Sequence, residues 1–193
     1  DVAAENYLSK GYLPEALLNF LALLGWNSGT EKELFTLNEL IKEFDLKKVQ
    51  KGGAVFGTQK LDWFNTNYIK EKSTAELAML CKPYLIEAGF ITAEFNDLAY
   101  LESIILVCKE RLKTLRDIST LADLFFKEFD YEPLLLVWKK SNIESTRIYM
   151  QVLLEFINQW SGGWADNSFE EAVRTLIQEK NWNNGDVLWP MRV

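Results

Sequence analysis

The feature that most constrains the fold of this chain is a recurring pair, Ser or Thr followed three positions later by Glu. Such a pair caps the beginning of a helix, because the hydroxyl and the carboxylate each accept a hydrogen bond from a backbone N–H that the helix leaves unpaired. The pair occurs at Thr36/Glu39, Ser73/Glu76 and Ser168/Glu171. We therefore predict helices that begin at these three places and end near residues 43, 89 and 180.

Apolar residues at helical spacing predict further helices between these caps. Residues 13–24 read as a buried helix, with Pro14 and Glu15 in its first turn and Gly25 at its end. The other helices are predicted over residues 61–69, 98–112, 115–126 and 144–160. A short hairpin that includes residues 54–56 is the one β element expected, near residues 44–57. The chain is thus predicted to be mostly α.

Composition indicates a protein with a hydrophobic core and argues against a zinc site. The chain has 193 residues, of which 48% are hydrophobic and 13% aromatic, so it is long enough and apolar enough to build a real core. Cys81 and Cys108 lie in apolar, helix-like runs and are predicted core residues, as are most of the seven tryptophans, Trp63 included. Two cysteines without any histidine are too few ligands for a zinc site.

The residues offer no catalytic group of their own. Without histidine the usual general base at neutral pH is missing, and Asp62 and Glu76 are better explained as structural carboxylates. The glycine-rich stretch KGGAVFGTQK resembles a phosphate loop only at first sight, because the Lys and Ser/Thr that should follow its last glycine are not in place. A standalone enzyme is therefore disfavoured, and Gly52 and Gly53 are predicted to form a turn.

Basic residues form two clusters in a chain whose formal net charge is -7. The first, beside the glycine-rich stretch, consists of Lys47, Lys48, Lys51 and Lys60. The second, near a helix-to-helix junction, consists of Lys109, Arg111, Lys113 and Arg116. Both are open to two interpretations: cations that complement a helix C-terminus, or cations that contact phosphates. Because the whole chain is acidic, nucleic-acid binding would require such local patches.

Four segments of the chain have distinctive sequences, which are GYLPEALLNFLALLGW (11–26), FDLKKVQKGGAVFGTQKLDWFNTNYIK (44–70), RLKTL (111–115) and WPMRV (189–193). The first is similar to the segment after the catalytic signature loop of bacterial glutamyl-tRNA synthetases, and the second to that family's next signature. RLKTL (111–115) and WPMRV (189–193) match two further landmarks in the same order. The resemblance covers essentially the whole chain, with Gly52 standing where the family usually has Ser.

The resemblance implies a particular architecture. A small α/β stem-contact region over residues 1–72 would precede an all-α anticodon-binding helical bundle, a helix cage, made of residues 73–134 and 135–193. The catalytic motifs H-I-G-H and K-M-S-K-S are not in this chain, and the family continues beyond its last residue, so we expect a truncated C-terminal portion of a class I ligase. That portion would contain no catalytic residue, metal or cofactor, whereas the full-length enzyme would use ATP and Mg.

The resemblance also implies a function, which is docking of glutamate tRNA, tRNA(Glu), and reading of its anticodon. Arg111 would contact the third anticodon base and Arg192 the first. The tRNA backbone would be contacted by Lys47, Lys48, Lys51, Lys60, Lys113 and Arg116. We expect a cytoplasmic monomer that binds neither DNA nor membranes. The alternative is an all-α protein-interaction module that keeps the scaffold without binding RNA, an interpretation that the negative charge favours.

Overall fold

The fold is mostly helical, as predicted. A computed structural model of the chain describes residues 3–50, 52, 56–164 and 167–193. These residues form two compact units, Asp1–Glu128 (unit 1) and Phe129–Val193 (unit 2). Within the described residues, no helix combines the length and the apolar character needed to cross a membrane.

Unit 1 contains eight α-helices among the residues described. They are α1 (Ala4–Ser9), α2 (Pro14–Gly25), α3 (Leu37–Glu43), α4 (Thr58–Glu71), α5 (Thr74–Glu87), α6 (Leu98–Cys108), α7 (Ile118–Leu121) and α8 (Asp123–Phe126). Short 3-10 helices cover Leu46–Lys48, Lys109–Arg111 and Leu115–Asp117. The helix predicted near residues 115–126 is found as three short helical pieces, with a break at Ala122.

β structure in the described part of unit 1 is limited to one isolated antiparallel bridge between Trp26 and Val49. One of its two residues, Val49, lies within residues 44–57, where the sequence predicts a small β element. Ala54 and Val55, the centre of the predicted hairpin, lie outside the described residues.

Two of the three predicted caps are confirmed. The Thr36 hydroxyl accepts from Glu39 N, and the Glu39 carboxylate accepts from Thr36 N at 2.8 Å, which completes a capping box for α3. Ser73 accepts from Glu76 N at the beginning of α5.

The third cap is wrong. Helix α10 (Ser168–Glu179) has Asn167 as its N-cap, so Ser168 is already the first helical residue. Its hydroxyl donates instead to the Gly163 carbonyl, at 3.2 Å.

Among the residues described, the core of unit 1 is one cluster of 21 buried residues drawn mainly from α2, α4, α5 and α6. Cys81 and Cys108 lie in it as predicted, and burial raises the pKa of the Cys81 thiol to about 12. A smaller cluster joins Trp26, Phe35 and Leu40 beneath α3.

The prediction of mostly buried tryptophans is wrong. Only Trp26 is buried among the seven, and Trp63 is 41% exposed. The buried residues of α4 are Leu61, Phe64, Asn65 and Ile69, which share one face of the helix, so position 63 falls on the opposite face.

A buried asparagine joins the segments that carry the sequence resemblance. Asn65 on α4 has no exposed surface, and its Oδ1 accepts from Leu13 N at 2.8 Å. Its Nδ2 donates to the Lys113 carbonyl at 2.5 Å. Because a buried amide is stable only with partners, these bonds tie the beginning of α2 and the segment after α6 to α4.

Unit 2 is built from few helices. A 3-10 helix (Pro133–Leu136) is followed by α9 (Ile143–Gln159), α10 (Ser168–Glu179) and α11 (Asn184–Leu188). Its hydrophobic cluster includes four buried residues among those described, Leu153, Val173, Ile177 and Val187. Partly buried aromatic side chains such as Tyr149, Phe156 and Trp182 extend it. Helix α11, which has five residues, was not predicted from the sequence.

Candidate nucleic-acid interface

The segment that follows α6, residues 109–117, presents cations on a fixed backbone; we call it the junction segment. Leu112 and Leu115 point into the core of unit 1, with 0% and 6% of their surface exposed. Arg111 and Lys113, one residue before and one residue after Leu112, are exposed. The alternation holds the two cations toward solvent, because their neighbours are anchored in the core.

Hydrogen bonds from three directions fix this backbone. The Asp117 carboxylate accepts from the backbone N–H of Lys113 and Thr114, at 2.9 and 2.8 Å. Leu115 N donates to the Gly11 carbonyl at 2.9 Å, and Asn65 binds the Lys113 carbonyl. Because these bonds tie the segment to its own Asp117, to Gly11 and to Asn65 on α4, the junction segment is preorganised.

Gly11 is required for the close approach of α1 to the junction segment. Its φ is +88°, and a Cβ placed on it would lie 2.6 Å from Arg116 N. A residue with a side chain would therefore meet both unfavourable backbone torsion and backbone atoms that cannot move aside.

The cations of the junction segment differ in how they are engaged. Within the described part of the chain, the side chains of Arg111 and Lys113 form no hydrogen bond or ion pair. Arg116 pairs with Glu87 and donates to the Ser9 carbonyl. Lys109 donates to the Lys72 carbonyl at 2.6 Å. Arg111 and Lys113 are thus the two that could receive a ligand without giving up a contact.

Carboxylates nearby limit how positive this surface is. Lys70 on α4 forms an ion pair with Glu110, Nζ to Oε2 at 2.6 Å. The hydrogen bond from Lys70 lowers the pKa of Glu110, so this carboxylate stays charged beside Arg111. The arrangement is a pair of free cations beside charges that are already paired, which favours one specific contact over broad attraction of a polyanion.

The lysines around the glycine-rich stretch differ in their contacts, and two of them bind different parts of the chain. Lys48 donates to the Ser28 carbonyl at 2.8 Å, and Lys60 pairs with Glu33 at 2.6 Å while its Nζ lies 4.3 Å from the centre of the Trp63 ring. The ammonium of Lys47, in the 3-10 helix, has no hydrogen bond or ion pair with a described residue. Lys51 lies outside the described residues.

Arg192 in unit 2 borders a surface pocket of about 200 Å³ whose other walls include Trp138 and Trp189. The two indole rings lie with their centres 4.8 Å apart, and Trp189 Nε1 donates to the Leu135 carbonyl at 2.8 Å. An arginine beside exposed aromatic faces is an arrangement that suits an unpaired base. Sequence reasoning identified Arg192 but not the two tryptophans; the WPMRV segment contains one of them, whereas Trp138 is brought in only by the fold.

No metal site can be built from the described residues. In residues 3–50, 52, 56–164 and 167–193, no three His, Cys, Asp or Glu side chains are grouped so that they could hold an ion.

Comparison with known protein families shows which families the chain matches. Residues 76–193 match the family described as "Anticodon binding domain", and residues 1–63 match part of the family described as "tRNA synthetases class I (E and Q), catalytic domain". The chain therefore belongs to the family of anticodon-binding domains found in class I tRNA synthetases.

Individual relatives are more specific, and they confirm the resemblance seen in the sequence. The chain is 39% identical to the glutamate–tRNA ligase of Clostridioides difficile (strain 630), over 82% of the chain and 36% of that protein. It is 35% identical to the glutamate–tRNA ligase of Finegoldia magna over 98% of the chain and 38% of that protein. It spans little more than a third of the curated relatives' length.

A solved structure supports the same relationship. The crystal structure of a glutamate tRNA ligase from Elizabethkingia meningosepticum CCUG26117, in complex with its amino acid, matches with a TM-score of 0.78 and 33% identity. The match covers 96% of this chain and 36% of that one.

Proposed function

We propose that this chain is the tRNA-docking and anticodon-reading portion of a glutamate–tRNA ligase, which attaches glutamate to tRNA(Glu) with ATP and Mg. The observation that carries the proposal is Arg111, held exposed and unpaired on a rigid segment within the part of the chain that matches the anticodon-binding family.

Arg111 would read the third anticodon base, which is C in tRNA(Glu) and G in glutamine tRNA. Cytosine offers two adjacent acceptors, O2 and N3, on its pairing edge, and a guanidinium offers only donors, in a planar fork. Guanine presents donors at N1 and N2 on the same edge, so its hydrogens would face those of the arginine. A well-formed bidentate contact discriminates between bases by about 1–3 kcal/mol.

Arg192 would contact the first anticodon base, and the pocket formed with Trp138 and Trp189 supports this role. The aromatic faces would stack against the base while the guanidinium binds its edge or its phosphate.

The remaining cations would contact the tRNA backbone: Lys47, Lys48, Lys51, Lys60, Lys113 and Arg116. Lys60 would first have to leave Glu33, with which it forms an exposed ion pair. Such pairs contribute only about 0–1 kcal/mol, so a phosphate can compete for the ammonium. Since the chain as a whole is acidic, we expect weak binding that is strongly salt-dependent.

The similarity to glutamate–tRNA ligases also supports proposals about domain bounds, localisation, oligomeric state and cofactors. The stem-contact region would be residues 1–72, and the anticodon-binding subdomains residues 73–134 and 135–193. The protein would act in the cytoplasm as a monomer, and ATP and Mg would be bound by the catalytic part of the full-length enzyme.

A double-mutant cycle tests the proposal. Binding of this chain to tRNA(Glu), and to the same tRNA with G at the third anticodon position, is measured by gel shift at low salt. We expect the base change to weaken binding about tenfold or more, and Arg111→Gln to bring the two affinities toward parity. Arg174→Gln, at an exposed arginine paired with Glu170, serves as the matched control and should leave the ratio unchanged.

Two outcomes would contradict the proposal. An unchanged ratio in the Arg111→Gln variant would remove this residue from anticodon reading. Absence of binding to either tRNA at low salt would favour the protein-interaction module instead.

A further inference from the structure

Unit 1 carries an apolar surface separate from the cations described above. Helices α2 and α3 and the residues after α3 surround an open pocket of about 550 Å³. We call its exposed rim the apolar rim; its members are Leu18, Leu21, Leu37, Ile41, Phe44 and Val49. Their exposed fractions range from 39% for Val49 to 71% for Ile41.

The chemistry of this surface favours a protein over a nucleic acid as its partner. The described residues that line the pocket are apolar or glycine, and the buried Trp26 forms part of the lining. A phosphate backbone needs cations or N–H donors at the surface. No cationic side chain is among the described residues that line the pocket, and the N–H donor of Trp26 is buried. Single exposed apolar residues are ordinary in soluble proteins, whereas a contiguous group around a concave pocket is typical of a protein–protein contact.

The family match indicates what covers the surface. The whole apolar rim lies within residues 1–63, which match the class I catalytic domain rather than the anticodon-binding domain. The relatives are much longer than this chain, which accounts for 36% of the C. difficile ligase. A segment that belongs to a larger domain shares that domain's core, so on its own it leaves part of that core exposed.

We propose that the apolar rim is an interface on which the rest of a class I catalytic domain packs. Ile41 and Leu37 of α3 would enter the apolar surface of that domain, and Leu18 and Leu21 of α2 would form the opposite side of the contact. This contact would hold the catalytic part against unit 1 independently of tRNA, so its test is separate from that of anticodon reading.

Cysteine labelling tests the proposal with a low background, because Cys81 and Cys108 are buried. The variants Ile41→Cys and Leu106→Cys are matched, since the original residues are 71% and 69% exposed and Leu106 lies on α6, away from the rim. The rate of maleimide labelling is measured in this chain alone and in a chimera. In the chimera, the chain is joined behind the part of the C. difficile ligase that precedes the matched segment.

We expect labelling of the Ile41→Cys thiol to slow at least tenfold in the chimera, and labelling of the Leu106→Cys thiol to stay the same. The native cysteines should remain unlabelled in both proteins, which shows that unit 1 is intact. Equal rates for Ile41→Cys in chain and chimera would overturn the proposal. Slow labelling of Ile41→Cys in the chain alone would also overturn the proposal. A rate that falls as the protein concentration rises would mean that a second copy covers the apolar rim. A rate that is slow at every protein concentration would mean that the chain covers its own rim.

Discussion

The two units of this chain hold the arginines proposed to read the anticodon in different ways. In the part of the chain that the structure describes, unit 1 has a core cluster of 21 buried residues and positions Arg111 through hydrogen bonds that connect distant segments. Unit 2 has four buried core residues in its described part, and Arg192 lies beside two partly exposed tryptophans. The first site is thus set by the interior of its unit, whereas the second depends on packing at the surface.

The difference bears on stability as well as on geometry. A small core contributes little burial free energy against the cost of ordering the chain, so unit 2 should be the less stable of the two. If both units take part in binding the same RNA, each is stabilised according to its affinity, and the folded fraction rises more in the less stable unit.

The largest expected effect tests this contrast directly. Leu153→Ala removes one of the four core residues of unit 2, and such truncations cost about 2–5 kcal/mol. We expect amide protection to be lost across unit 2 and retained in unit 1, as measured by hydrogen exchange on the full chain. Leu154→Ala, at a neighbour that is 59% exposed, should leave the exchange pattern unchanged.

Leu101→Ala is an equivalent truncation of a fully buried residue in unit 1. If it abolished amide protection across unit 1, the expected difference in stability between the two units would be contradicted. We expect unit 1 to weaken by a similar free energy but to remain folded, because its core is larger.

The next prediction concerns the buried amide of unit 1. Asn65→Ala leaves Leu13 N and the Lys113 carbonyl without partners, and each unpaired buried group costs about 1–3 kcal/mol. We expect unit 1 to lose stability and Arg111-dependent discrimination between C and G together, because the junction segment is no longer fixed. Asn67→Ala, on the same helix but not buried, should affect neither. Retained discrimination in a destabilised Asn65→Ala variant would show that the segment is positioned by other contacts.

Gly11 offers a sharper test, because the quantity measured is the difference in stability loss between two glycine variants. Gly11→Ala combines a positive φ with a Cβ 2.6 Å from Arg116 N, so we expect about 1–3 kcal/mol of overpacking cost beyond about 1–2 kcal/mol of torsional strain. Gly89→Ala has a similar φ of +73° but open space around its Cβ, and should show only the torsional part. Equal losses in denaturant unfolding of the two variants would mean that α1 yields to the added methyl group.

Sequence reasoning predicted the local structure better than the contacts between segments. The capping pairs of α3 and α5 are local signals, and the apolar spacing identified α2, α4, α5, α6, α9 and α10 with small boundary errors. Trp63 was misassigned because aromatic character was weighed above its position on α4, although the spacing of Leu61, Phe64 and Ile69 already placed it on the outer face.

The candidate site was only partly accessible from the sequence. The resemblance pointed to Arg111 and Arg192 by position. It did not indicate that Lys60 is paired with Glu33, because these two residues are distant in sequence. The same is true of Asn65, whose two hydrogen bonds span 52 and 48 positions. No local pattern encodes such contacts, since they depend on how the helices pack.

The smallest expected effect concerns the cap of α3, beneath the apolar rim. Hydrogen bonds from Lys32 and from Thr36 lower the pKa of Glu39 to about 2, against an ordinary value of 4.5. A carboxyl whose pKa is lowered by folding stabilises the protein above its unfolded pKa, and that contribution is lost as pH falls from about 4.5 toward 2. Glu39→Gln should therefore lower Tm slightly at pH 7 and make little difference at pH 2, with Glu31→Gln, at an exposed glutamate of the same region, unchanged throughout. A Tm difference that stays constant from pH 7 to pH 2 would mean that Glu39 acts through packing or neutral hydrogen bonding and not through its charge. High salt should weaken the part contributed by Lys32 more than the part contributed by the Thr36 backbone, because only the former is an exposed ion pair.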